Sequence, residues 1–167
     1  MYHFEADVPV FNIKYSGLPY GDLTAYGYFV DVAASGATDR DTLGLRFNGA
    51  TKVSDELSVL YTAEYAQQEI NRATASDETV DYSLLEAGVK FAGITAKISR
   101  EIQEAHNMAS FKTPLGTNHK FNGWADQFLV TPNDGLEDTY LTLSTKVSGV
   151  KLMAVYHDFE AENSGME

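Results

Sequence analysis

The sequence predicts an all-β fold: an antiparallel, up-and-down transmembrane β-barrel of about eight strands with one long inserted loop. Three observations predict it. Apolar and polar residues alternate with the strand period of two over most of the chain. The alternating segments have lengths near the roughly 9–11 residues that a tilted strand needs to cross a bilayer, whereas soluble strands run to about 5–6. Short links between them alternate with longer ones, as in barrels with tight turns at one end and long loops at the other.

In chain order, strands are expected at residues 3–15, 23–33, 41–53, 57–70, 80–91, 94–104, 139–147 and 150–159. Ser54-Asp55, Ala92-Gly93 and Ser148-Gly149 mark tight turns, and Ser16–Asp22 is an intermediate link at the same end. Ala34–Arg40, Asn71–Thr79 and an excursion over about 105–138 form the longer links. With Val53 opposite Leu57, Phe47 meets Ala63, Leu45 meets Tyr65 and Thr51 meets Val59, all outward. Arg46 then meets Glu64 on the other face. Across the next link Glu64 is placed opposite Glu86, and Ala92-Gly93 sets Val89 against Ala96 and Ala87 against Ile98. The last hairpin sets Val147, Thr145, Leu143 and Leu141 against Val150, Leu152, Ala154 and Tyr156. The alternation changes phase at Leu84-Leu85, where a bulge is expected. Tyrosines such as Tyr15, Tyr20, Tyr65 and Tyr140 tend towards strand ends, as aromatic girdles do. Tyrosine is also a good strand former anywhere.

This register sorts Leu, Val, Ala, Tyr and Phe to one face. It sorts Arg46, Asn48, Glu64, Gln68, Glu86, Lys90 and Lys97 to the other. In a wide barrel that inward row lines the lumen and sets selectivity. In a closed eight-stranded barrel the interior is filled by side chains, and the same row is a packing network. Glu64 and Glu86 facing one another also raise a carboxylate pair of glycosidase type. Arg46 beside them favours charge compensation, so no enzyme is expected.

The net charge of −12, with 12 Lys and Arg against 24 Asp and Glu, excludes nucleic acid as a partner. Most acidic residues fall in or beside turns. Charge on the lipid face of a barrel would cost roughly 2–4 kcal/mol at mid-bilayer. No run of about 18 apolar residues is present, which excludes a transmembrane helix. There is no cysteine, and the four histidines lack ligand spacing, so no metal and no cofactor is expected. Met1 is not followed by a basic and then apolar leader, so the expectation is a single barrel domain over 1–167, as a processed chain or a fragment.

The segment FKTPLGTNHKFNGWADQFL (Phe111–Leu129), followed by TPNDGLED (Thr131–Asp138), is similar to a signature of the alginate-export-like family of proteobacterial outer-membrane proteins. DTLGLR (Asp41–Arg46), YTAEYAQQ (Tyr61–Gln68) and YHDF (Tyr156–Phe159) resemble neighbouring segments of that family, and the resemblance covers most of residues 23–160. It implies a β-barrel in the outer membrane of a Gram-negative bacterium, in contact with lipid. The implied role is a porin-like channel for passive passage of polar or anionic solutes or oligosaccharides. Family barrels are larger, so the chain is expected to form part of a larger wall. The alternative is a small closed eight-stranded barrel with a structural or adhesion role. A soluble β-sandwich binding ligand through its loops is the rival outside the membrane.

The excursion over 105–138 is too long and too aromatic for a solvated connection. It is expected to fold back, either into the lumen as a constriction or across the barrel rim. His119, Lys120, Asn122, Trp124 and Asp126 are the constriction candidates, with a helical turn considered over Phe121–Asp126. Asn133-Asp134-Gly135 reads as a polar turn, because it lacks the spacing of a calcium loop.

Overall fold

The computed structural model describes residues 5–34, 36–115 and 127–163. Its elements are β1 (Ala6–Asp7), β2 (Val10–Leu18), β3 (Gly21–Val32), β4 (Thr38–Lys52), β5 (Leu57–Arg72), β6 (Glu78–Phe91), β7 (Ile94–Gln103), β8 (Ala105–His106), β9 (Ala109–Ser110), β10 (Leu136–Val147) and β11 (Val150–Glu160). β1 and β2 lie along the same side of β3 and share one strand position, interrupted near Pro9, whose ring removes a ladder donor. Eight strand positions result, in the predicted order. All pairings are antiparallel, and the main sheet runs β1/β2, β3, β4, β5, β6, β7, β10, β11.

The sheet is open. No ladder joins β11 to β1 or β2 among the described residues, so closure into a barrel within this chain is not observed. The sheet nevertheless curls. One cavity is lined both by Asn12 of β2 and by Tyr140 of β10. In a flat sheet, six strand spacings would separate those strands by about 29 Å.

The predicted hairpin registers hold from β4 to β5, from β6 to β7 and from β10 to β11, including Arg46 against Glu64 and Val89 against Ala96. Ala92-Gly93 and Ser148-Gly149 both adopt positive φ (46° and 83°, 49° and 86°), as the mirror-image turns matched to strand twist require. Link length is sorted by end. Pro19-Tyr20, Ala92-Gly93 and Ser148-Gly149 are two-residue links and 53–56 at the same end has four residues, while the segments after Val32 and Arg72 have five each and the one after Gln103 is far longer. The first of these is shorter than the expected Ser16–Asp22 link, because β2 runs on to Leu18 through an irregularity after Tyr15.

Two register expectations are corrected. Glu86 faces Thr62, and Glu64 faces Leu84, so the two glutamates are not opposite each other. No bulge interrupts Leu84-Leu85, since both ladders of β6 run through it unbroken. Leu84 is buried on the concave face and Leu85, 65% exposed, points outward, so the alternation never changes phase.

The convex face is apolar. Leu43, Leu45, Tyr65, Leu85, Val89, Ile98, Leu141, Leu143 and Leu152 are all exposed on it. Charge returns only towards the long-link end, with Asp41, Glu69, Asp81, Arg100, Glu137 and Asp158. Following one row of register partners across the sheet shows how this band lies. The row runs Asp158, Thr139, Arg100, Leu85, Ala63, Phe47, Leu23, Tyr15. It starts in the charged margin at one edge and ends near the tight turns at the other. Rows lie perpendicular to strands, so the strands are inclined to the apolar band, as barrel strands are.

The core lies on the concave face, towards the long-link end. Ala66, Ile70, Val80, Tyr82 and Leu84 pack there against Ala109 and Phe111. The described start of the excursion, through Phe111, therefore folds back onto this face. The excursion begins with the β8–β9 hairpin, turning at Asn107-Met108, and its last residues belong to β10. Glu78 accepts from Asn107 Nδ2 (2.8 Å) and contacts His106 Nδ1 (2.6 Å), pinning the hairpin tip to β6.

Candidate functional site

Period-two geometry gathers polar side chains on the concave face, because every second residue of each strand points there. The central row of that face reads Lys14, Thr24, Arg46, Glu64, Leu84, Glu101, Asp138, Phe159, each the register partner of the next. It is basic at the β2–β4 side and acidic towards β10.

Two ion-paired clusters occupy its middle. Glu64 takes the Arg46 guanidinium on one oxygen and the Tyr26 hydroxyl on the other, at 2.7 Å. Tyr26 reaches it by lying over Gly44, its register partner. A methyl group at Gly44 would come within 2.2 Å of the Tyr26 ring, so the bare glycine is required there. Glu86 accepts from Lys97 Nζ (2.9 Å), Ser99 Oγ (3.1 Å) and Thr62 Oγ1 (3.3 Å).

A third cluster holds the incoming loop. Gln68 is fully buried and uses its whole amide capacity. Its Nε2 donates to Thr42 Oγ1 and to the Lys112 carbonyl, both at 2.8 Å. Its Oε1 accepts from Arg40 Nη1 (2.6 Å) and the Lys112 amide (3.1 Å). The side chain thus imitates a strand partner for Lys112. Arg40 also donates to the Ser110 carbonyl (3.2 Å) and is without a carboxylate partner among the described residues. Burial, and then the Arg40 charge nearby, push the pKa of the Lys112 ammonium below that of an ordinary lysine. Phe111 stacks on Tyr82 at 5.3 Å.

These groups surround a cavity of about 660 Å³, lined by Arg46, Glu64, Glu86, Lys97, Glu101 and Lys112 among its charged residues. Tyr26, Tyr28, Tyr82 and Tyr140 supply aromatic walls. A volume of this size accommodates a small organic solute.

Of the residues predicted from sequence, Arg46, Glu64, Glu86 and Lys97 line the cavity. Asn48 and Lys90 share the concave face, opposite Thr62 and Thr95, but lie outside it. Gln68 is corrected from a lumen residue to a buried anchor, because the Lys112 backbone covers it. His119, Lys120, Asn122, Trp124 and Asp126, and the helical turn considered beside them, lie outside the described residues. Sequence reading missed Arg40, Glu101, Lys112 and Asp138. The run Lys97, Ser99, Glu101, Gln103, polar at every second position, was the available signal for Glu101.

Glu101 and Asp138 face one another across β7 and β10, and only 6% and 3% of their surfaces are exposed. Each keeps one oxygen, Glu101 Oε1 and Asp138 Oδ1, without a hydrogen-bond partner among the described residues. The other Asp138 oxygen contacts His157 Nδ1 at 2.8 Å, on the inner face. No family model, curated protein or solved structure matches this chain.

Proposed function

We propose that this chain forms the wall of an outer-membrane β-barrel of a Gram-negative bacterium and passes polar solutes passively through its lumen. One observation carries the reading: the sheet is inside-out relative to a soluble one, with ion pairs on its enclosed face and an apolar band on its open face. Water would select the reverse arrangement. The oblique band and the sorting of link lengths support the same reading, as does the resemblance to the alginate-export-like family.

Lipid leaves no free edge, because backbone groups there find no water. On this reading β2 and β11 each acquire a further partner strand, and the curled sheet is one sector of the closed wall. The paired charges of the inner face then act by lumen electrostatics, with the Phe111–Leu115 segment narrowing the passage. A second reading, a filled barrel with a structural role, is favoured by that same segment and by the fully bonded Gln68.

Conductance separates them. The full-length native protein reconstituted in a planar bilayer should carry ion current. Glu64→Gln, which leaves the Arg46 charge uncompensated, should shift the reversal potential in a salt gradient towards anion preference. Absence of current would contradict the channel and favour the filled barrel over it.

A further inference from the structure

The charges lining the cavity do not all cancel. Arg46 is held by Glu64, and Lys97 by Glu86. Two charged groups remain without an ion partner among the described residues, the Lys112 ammonium and the Glu101 carboxylate. The Lys112 backbone is held by Gln68, and Glu101 has one carboxylate oxygen without a hydrogen-bond partner among the described residues. Asp138, directly opposite Glu101, deepens the negative potential there, and like charges in that relation destabilise a sheet. A positive group arriving beside Glu101 would relieve both.

We infer that the cavity binds a zwitterionic solute, its ammonium on Glu101 and its carboxylate on Lys112. This rests on the reading of the concave face as a solute-accessible lumen. A metal ion fits less well, since no three His, Asp or Glu side chains are grouped to hold one among the described residues. A polyanion fits less well too, because among the described residues Lys112 is the one cation lining the cavity whose charge is not already matched. The aromatic walls suit the ammonium end, since Tyr82 neighbours Glu101 and ring faces attract cations. Gln68, which holds Lys112, lies opposite Val80, and Glu101 lies opposite Leu84. The two backbones are thus two strand spacings apart laterally and offset from Val80 to Leu84 along β6, on the order of 16 Å in all. The Lys112 and Glu101 side chains both line the cavity between them. An extended chain carrying charge at both ends bridges the two side chains.

The test uses 6-aminohexanoate as probe, with hexylamine and hexanoate as single-charge controls, titrated calorimetrically into the full chain folded in detergent at about pH 8. The zwitterion should bind about tenfold or more tightly than either control. Glu101→Gln should abolish that advantage over hexanoate, Lys112→Met its advantage over hexylamine, and Lys112→Arg should retain binding. Equal binding of hexylamine and 6-aminohexanoate, or no binding of the zwitterion, would overturn the inference on the unaltered chain alone. A Glu101→Gln chain that is more stable yet binds as before would also overturn it, marking a proton-sharing acid pair. Failure of the membrane reading would show separately, as a chain that stays folded and monomeric without detergent.

Discussion

Replacing Gln68 with leucine is expected to lower the stability of the detergent-folded chain by about 3–5 kcal/mol. The substitution preserves approximate volume but strands the Lys112 amide and carbonyl, the Thr42 hydroxyl and one Arg40 contact around a fully buried side chain. Each buried group left unpaired costs roughly 1–3 kcal/mol, and partial relaxation keeps the sum below the simple total. The loss should be visible as a lower urea midpoint. It should also appear as faster tryptic cleavage after Lys112, because the Lys112 backbone loses the amide that holds it to β5. Gln68→Glu keeps the two accepted bonds and loses the two donated ones, so its effect should be intermediate. An unchanged midpoint for Gln68→Leu would mean that Phe111 packing and the Arg40 and Arg72 contacts hold the loop without the amide.

The second large effect concerns the convex face. Leu143→Arg is expected to cost roughly 2–4 kcal/mol when the chain is folded into lipid vesicles, as arginine does at mid-bilayer on a barrel's outer surface. Leu143 is exposed on that face, between Leu141 and Thr145. On a water-facing strand the same change would fall within about 0.5 kcal/mol. Ser144→Arg, one residue away on the inner face opposite Met153, is the matched control and should be nearly neutral. Equal costs at the two positions would remove the distinction between the faces.

Much of the wall was legible in the sequence because side-chain direction in a strand has a period of two, so alternation alone assigns faces. The tight turns then fixed three registers through Val53–Leu57, Ala92-Gly93 and Ser148-Gly149. The link between β5 and β6 has no such constraint. The observed ladder ends at Ile70 and Glu78, two residues in register from the arrangement that would have set Glu64 against Glu86. A shift by two preserves every face and changes every partner, which is why the inner row was recognised but its pairing was not.

The supposed break at Leu84-Leu85 has a similar origin. Ile70, Val80, Tyr82 and Leu84 are apolar although they point inward, because Phe111 and Ala109 cover them. That covering comes from a segment distant in sequence, and alternation carries no information about it. Lys112 and Arg40 were missed for the same reason. Their roles depend on where the loop lands, and the landing is specified by the four bonds of one buried amide. Openness of the sheet lay equally beyond the pattern, since a closed wall and an open sector alternate alike.

The central claim is that the convex face meets acyl chains and the concave face does not. It is tested most directly by quenching with lipids brominated on their acyl chains. In a chain whose single tryptophan, Trp124, is changed to phenylalanine, Leu143→Trp and Ser144→Trp each introduce one fluorophore. The account predicts strong quenching at position 143 and little at 144. Equal quenching at both, or none at 143, would contradict it.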